Sequence, residues 1–325
     1  MKHHLIKYIG IVTICLVLPA LFLFYSCKKD VDEIDPVEEG YKTENVIIIV
    51  MDGARYSETW GDNTHLNIPY LAGNIKSKGV VNSNFYNNGF TVTSPGHLAM
   101  ISGQYYNLNN GGAELPPFPS IFQYFNQTYP NKLSWIIASK DKLEVLTNTS
   151  QPNYKDMYLA NTDCGIAGLG TGYREDSVTL YNAKNILNND KPSLVLINFK
   201  DPDSFGHAND WTNYLFSIRK TDNYINQIID LVETSSHYKD KTTIFITNDH
   251  GRHDDLNGGF QSHGDNCNGC RHIMFFGYGP DFKNNVIINT RYELIDIAQT
   301  TAFLLNIELP NSQGILMEDL FETIK

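Results

Sequence analysis

The chain reads as an α/β domain: a largely parallel central β-sheet flanked by helices, with an irregular lid region. Three observations predict it. Apolar, β-branched runs of strand length alternate with segments of helical period. The first run, Asn45 to Met51, is NVIIIVM, apolar almost throughout, as expected of a strand buried on both faces. Acidic residues stand at or just past the ends of three such runs, at Asp52, Asp203 and Asp249, where open α/β sheets gather their sites.

The elements follow in order. Asn45 to Met51 predicts a strand that stops at Asp52-Gly53, and Ile68 to Lys78 a helix halted by Gly79. Val80, Val81 and Phe85 suggest a short strand. Pro95 to Ser102 reads as a helix begun by its proline, and Pro119 to Asn126 as another. Leu133 to Ala138 is strand-like. Thr147 to Gly172, rich in Asn, Gly and Thr with weak periodicity, reads as an irregular loop or lid. A helix over Asp176 to Leu187 precedes a strand over Ser193 to Phe199. Trp211 to Val232 reads as a long amphipathic helix. Thr242 to Thr247 and His272 to Gly277 read as strands, and Tyr292 to Leu305 as the last helix.

Composition bounds the rest. The 325 residues suffice for one large domain with a sizeable core. Charged residues make up 19% and hydrophobic ones 42%, an ordinary globular balance. The formal net charge of −11 argues against a general binder of nucleic-acid duplex or anionic membrane. An anionic substrate would therefore need local positive charge, from a metal or a few lysines.

Residues 1–26 read as a targeting segment. A basic start (Lys2, His3, His4, Lys7) leads into the uncharged apolar run Ile9 to Tyr25 and then Ser26-Cys27. This resembles a bacterial lipoprotein signal, cleaved to leave Cys27 as a lipidated N-terminus; the alternative is an uncleaved anchor. Both imply an exported chain tethered to the cell envelope, at the periplasm or the cell surface. Residues 27–44 are acidic and lack an apolar period, so they read as a flexible tether, leaving 45–325 as a single catalytic domain. Cys267-Asn-Gly-Cys270 suits a small disulfide in an oxidising compartment. It also suits half of a zinc knuckle, but no second pair exists, and the disulfide is favoured; Cys164 is left over.

The densest chemistry lies in Thr247 to Gly264, TNDHGRHDDLNGGFQSHG, straight after a strand. A strand fixes first ligands and a loop brings the last, and imidazole with carboxylate suits zinc or a similar transition metal. Three other clusters join it: Met51-Asp52-Gly53, Thr91-Val-Thr-Ser-Pro-Gly-His97 and Asp203-Ser-Phe-Gly-His207. Asp and His four apart converge on one cation if they share a helical turn. Thr93 precedes a proline-started helix, where backbone N–H groups favour an anion. Each cluster alone has an ordinary reading: a turn, a helix cap, a solvated acidic loop.

Taken together and in this order, the motifs resemble the alkaline phosphatase superfamily. The likeness is to its phosphodiesterases, phosphonate hydrolases and threonine-dependent phosphatases, and it runs from about Asn45 to Pro280. The resemblance implies two Zn2+ ions, or other divalent transition metals. One would be held by Asp203, His207 and His263, the other by Asp52, Asp249, His250 and the hydroxyl of Thr93. It implies Thr93 as a nucleophile that forms a covalent phosphothreonine, later hydrolysed. Asn110 matches a donor to a phosphoryl oxygen. Ser139-Lys140-Asp141-Lys142 looks like the Lys-Asp-Lys stretch of phosphonoacetate hydrolases and the Lys-Asp-Arg of the phosphatases, so Lys140 and Lys142 would contact substrate anions; a solvated loop is the plain alternative. His253, Asp254 and Asp255 are left out of the ligand set. A sulfatase needs Cys or Ser, then x-Pro-x-Arg, whereas Thr93 and His97 stand in those places. The expectation is a two-zinc phosphoester hydrolase acting on a small-molecule phosphate ester. A phosphonate (P–C bond) hydrolase, or a surface binding lipoprotein without turnover, is the alternative.

Overall fold

The described residues, 40–323 of a computed structural model, build a nine-stranded mixed sheet with helices on both faces. In chain order the first elements are β1 (Asn45–Met51), β2 (Gly79–Tyr86), α1 (Thr93–Ser102), α2 (Ile121–Thr128), β3 (Ser134–Ala138), β4 (Asn161–Cys164) and α3 (Asp176–Asn189). Next come β5 (Leu194–Phe199), α4 (Asp201–His207), α5 (Trp211–Thr234), β6 (Thr242–Thr247) and α6 (Asn268–Arg271). The chain closes through β7 (His272–Tyr278), β8 (Val286–Ile288), β9 (Tyr292–Glu293) and α7 (Asp296–Leu304). The expected targeting segment and Cys27 lie outside the described residues.

The strands run β4-β3-β5-β1-β6-β7-β2-β8, with β9 also on β2. All pairings are parallel except those of β7, which lies antiparallel to β6 and β2. Alternation explains the apolar strand sequences. Val46, Ile48 and Val50 enter the core on one face of β1, Ile47, Ile49 and Met51 the core on the other, and all are fully buried. The long helix α5 closes the second face with Ile218, Ile225, Ile228, Ile229 and Val232. Each such side chain stabilises the fold by about 1.5–3 kcal/mol relative to exposure.

The architecture agrees with the sequence reading, and the differences have identifiable causes. The segment after Ile68 is helical but wound as a π turn over Leu71–Ile75 and then a 3-10 turn. The lid contains the edge strand β4, whose NTDC sequence shows no apolar alternation because only its last residue is buried. The last helix starts at Asp296, because Tyr292–Glu293 pairs with β2 instead. The docked chain begins before Asn45. Asp281 accepts hydrogen bonds from the Lys42 and Thr43 amides, and Glu44 N–H donates to the Lys241 carbonyl. Cys267 and Cys270 are free thiols, not the favoured disulfide.

The consequence for the site is topological. β3, β5, β1 and β6 are adjacent and parallel, so their carboxyl ends share one edge of the sheet. Lys140, Asp203, Asp52 and Asp249 follow those four ends in that spatial order. A surface cavity at the opposite edge, lined by Lys78, Glu233, Tyr238 and Tyr278, holds none of this chemistry.

Candidate functional site

Each acid is set by local structure. Asp52 ends β1, and Asn198, inside β5, donates to its Oδ2 at 2.9 Å. Asp203 and His207 lie one turn apart on α4, the shared helical turn their spacing requires, with Nε2 to Oδ1 at 3.4 Å. Asp249 and His250 follow β6 and are fully buried. His263 returns on the loop, its Nε2 3.4 Å from Asp203 Oδ1 and 3.0 Å from His207 Nε2.

Two sets of donor atoms converge within 4.8 Å: Asp52, Asp249 and His250, and Asp203, His250 and His263. His250 touches both, its ring stacked on His263 at 3.9 Å. His207 extends the second set from the surface, its side chain 53% exposed. The imidazoles are aimed from behind. His250 Nδ1 is 2.8 Å from the Gly251 carbonyl and His263 Nδ1 2.8 Å from the Thr91 carbonyl, so each Nδ1–H is committed and each Nε2 presents its lone pair. Burial pushes His250 down to about 3 and His263 to about 4, leaving both neutral and able to ligate at pH 7.

The donors fit a pair of transition-metal ions. Asp249 Oδ2 and His250 Nε2 are buried 3.4 Å apart, yet neither has a hydrogen-bond partner. Buried polar atoms normally find partners, and two that face each other unpaired are arranged for a shared cation.

Thr93 sits in the first turn of α1, 1% exposed. That helix starts two residues before Pro95, so Ser94 lies inside it and is not its cap. Asn110 takes the capping part: its Oδ1 accepts the Ser94 N–H at 2.9 Å and Lys142 Nζ at 3.0 Å. Gly96 lets the turn press on the segment that follows β6, because a Cβ there would stand 2.5 Å from the Asp249 carbonyl oxygen. Gly96→Ala should therefore lower the melting temperature, by the equivalent of about 1–3 kcal/mol for overpacking, and reduce turnover with it; differential scanning calorimetry checks this.

Lys140 is the least expected feature. Its ammonium, 2% exposed, donates to Asp52 Oδ1 at 2.9 Å, Asp203 Oδ2 at 2.7 Å and Thr93 Oγ1 at 2.9 Å. Burial opposes its charge, but Asp203, Asp52 and Asp249 outweigh that and hold it above the ordinary lysine range. Burial likewise opposes ionisation of Asp203, yet Lys140 foremost, with His250 and Arg252, holds it well below the usual carboxylate range. Burial, and then Lys140, pushes Lys142 down to about 8. Tyr173, just past the lid, places its ring centroid 5.9 Å from Lys140 Nζ.

All ten site residues read from the sequence thus gather at one sheet edge. Three more residues support them: Arg252 and Asn198, which sequence reasoning missed, and His97, which it named in the Thr91–His97 motif without a role. Arg252, fully buried, donates to Asp203 Oδ1 and to the Phe260 and Gln261 carbonyls. Asn198 bridges Asp52 and His97 Nε2, the latter at 3.1 Å. His97 Nδ1 lies 2.9 Å from the Thr93 carbonyl and 3.4 Å from Asp249 Oδ2.

A sequence model of the Metalloenzyme superfamily matches residues 126–309, which include Lys140, Asp203, His207, Asp249, His250 and His263. A phosphopentomutase of Clostridium novyi (strain NT) is 32% identical over 120 residues, 37% of this chain and 27% of that enzyme. Murine ectonucleotide pyrophosphatase/phosphodiesterase 5 superposes with a TM-score of 0.60 at 13% identity, over 85% of this chain and 100% of that one. A phosphonate monoester hydrolase from Silicibacter pomeroyi gives 0.59 at 15% identity, over 85% and 76%. These structures share the fold.

Proposed function

From a chain that belongs to the Metalloenzyme superfamily, we propose a two-zinc phosphoester hydrolase whose nucleophile is Thr93. The observation that carries the reading is the position of Thr93 Oγ1. A buried threonine hydroxyl shares one ammonium with Asp52 and Asp203, one acid from each donor set.

Asp52, Asp249, His250 and Thr93 would hold one ion, and Asp203, His207 and His263 the other. Bound there, zinc supplies Lewis-acid polarisation and charge neutralisation at a phosphoryl group. The chain's own groups do the rest. Thr93 Oγ attacks phosphorus, an O–P bond forms and the ester O–P bond breaks, and the proton lost from the Thr93 hydroxyl ends, by way of solvent, on the leaving oxygen, which departs as the alcohol. Lys140, held as ammonium, stabilises negative charge on Oγ and does not take its proton. The amino end of α1 favours the same charge. Water then hydrolyses the phosphothreonine. Asn110 and Lys142 stand beside Thr93 at the helix end and orient the phosphoryl oxygens.

Phosphate esters fit better than sulfate esters, although a 2-O GAG sulfatase shares the fold. Sulfatase chemistry needs a formylglycine made from Cys or Ser, and Thr93 occupies that place. The named activities of the structural relatives, phosphodiester and phosphonate monoester hydrolysis, support a phosphoryl centre. Only twelve residues separate His250 from His263, so no large insertion lies between these two ligands.

Chromogenic monoester, diester, phosphonate and sulfate substrates presented to zinc-loaded protein test the reading. Turnover of a phosphate ester that disappears on chelation is expected; sulfate turnover alone, or turnover indifferent to chelation, would sink it. Lys142→Ala should cost more on the monoester than on the diester, because the monoester carries the extra charge that a cation stabilises. Equal losses in kcat/KM would assign Lys142 a structural part instead.

A further inference from the structure

The loop that delivers His263 carries a second group of donors, none shared with the first. His253 Nε2 is buried and faces Asp265 Oδ2 at 3.1 Å, yet has no hydrogen-bond partner. The two atoms are close but off the hydrogen-bond line, as ligands converging on a third atom are. The sulfurs of Cys267 and Cys270 complete the group, and all four donor atoms lie within 4.8 Å of one another.

Local structure builds this cluster. Cys267 caps the one-turn helix α6, so the Cys-x-x-Cys spacing puts both sulfurs on one side of a turn. A Cβ on Gly269 would stand 2.5 Å from the Arg252 carbonyl and 2.6 Å from the Asp254 nitrogen. Only glycine lets the turn press against the backbone on either side of His253. The Gly251 N–H donates to the Cys270 carbonyl at 2.8 Å and ties the two segments together. Cys270 is fully buried.

We propose that His253, Asp265, Cys267 and Cys270 bind a transition-metal cation of the zinc class, at a closed structural site separate from the Thr93 centre. Two thiolates, an imidazole and a carboxylate form a four-donor tetrahedral set, which leaves no open position for substrate. Thiolates select against calcium and magnesium. Tetrahedral bonds of ~2.0–2.3 Å place donors about 3.3–3.8 Å apart, a small contraction of the cluster. Asp265 lies two residues past His263, so the cation closes the loop and sets the position of that imidazole. A disulfide would take both sulfurs from the cation, and the two states exclude each other.

The test uses the purified full chain. Loaded with Co2+, it should show a thiolate-to-cobalt charge-transfer band in the near ultraviolet, which the cysteine-free Thr93 centre is unable to produce. Cys267→Ser with Cys270→Ser should remove the band and one metal equivalent while the other equivalents stay. That result stands or falls independently of phosphoester turnover. Where the double variant fails to fold, labelling of the wild-type chain followed by peptide mapping decides. Cys267 and Cys270 should be protected by zinc and become reactive on chelation. A pair that labels only after reduction is a disulfide and overturns the proposal; so does a pair that labels equally with and without zinc in a protein lacking the cobalt band.

Discussion

Thr93→Ala should lose about 10⁴- to 10⁶-fold in kcat on a phosphate ester, the range of nucleophile removals in covalent hydrolases. The fold and the metal content should persist. Thr93 makes its one side-chain hydrogen bond to Lys140, and that ammonium keeps Asp52 and Asp203 as partners. Thr93→Ser should retain part of the activity, because the hydroxyl stays in the first turn of α1. Ser94→Ala is the control. Ser94 Oγ is buried without a partner, and Asn110 supplies the capping oxygen, so this change should leave both stability and turnover close to wild type. Steady-state kinetics with elemental analysis of each variant measures the outcome. Near-normal turnover of Thr93→Ala would remove the covalent path.

The second large effect is on stability. In chelated protein, Lys140→Met should cost about 3–5 kcal/mol, the penalty for leaving buried carboxylates without their cation. Methionine keeps most of the volume and places no charge among Asp52, Asp203 and Asp249. Saturating zinc should return much of the loss, since ions that bind only the folded state stabilise it by mass action and supply the missing charge. Denaturant melts of both proteins, with and without zinc, test this. Equal stability of wild type and variant under chelation would mean that the ammonium does not sit on the carboxylates.

How far the site can be read from sequence follows from what each residue depends on. Asp52 and Asp249 were legible because the apolar strands before them are unmistakable and parallel sheets expose one edge. His207 was legible from its four-residue spacing to Asp203. Arg252 was not: its place depends on a carboxylate 49 positions away, and no local pattern announces such a pairing. Asn198 was hidden inside an otherwise apolar strand. Lys140 was seen as a contact for substrate, but its depth among three acids follows from β3 lying two strands from β1, which local periodicity does not encode. Sequence alone leaves His253 outside the Thr93 centre and favours a disulfide for the two cysteines. Only the folded loop brings the three together with Asp265. β4 escaped notice because polar edge strands lack alternation.

The strand order has a bearing on how the protein is made. β1 is the first strand, yet its neighbours β5 and β6 come about 150 and 200 residues later: Ile48 pairs with Leu196 on one side and Phe245 on the other. During synthesis, then, β1 waits without partners, a bare apolar ribbon, until both have been translated. Pairings this distant fold slowly and leave sticky intermediates. Asp52 meets Lys140 and Asn198 earlier, but Asp249 and His250 only when β6 and the loop after it arrive. On the proposed two-ion reading, metal capture is a late event of biogenesis, and a chain truncated before Thr242 would have a half-built sheet without Asp249, His250 and His263.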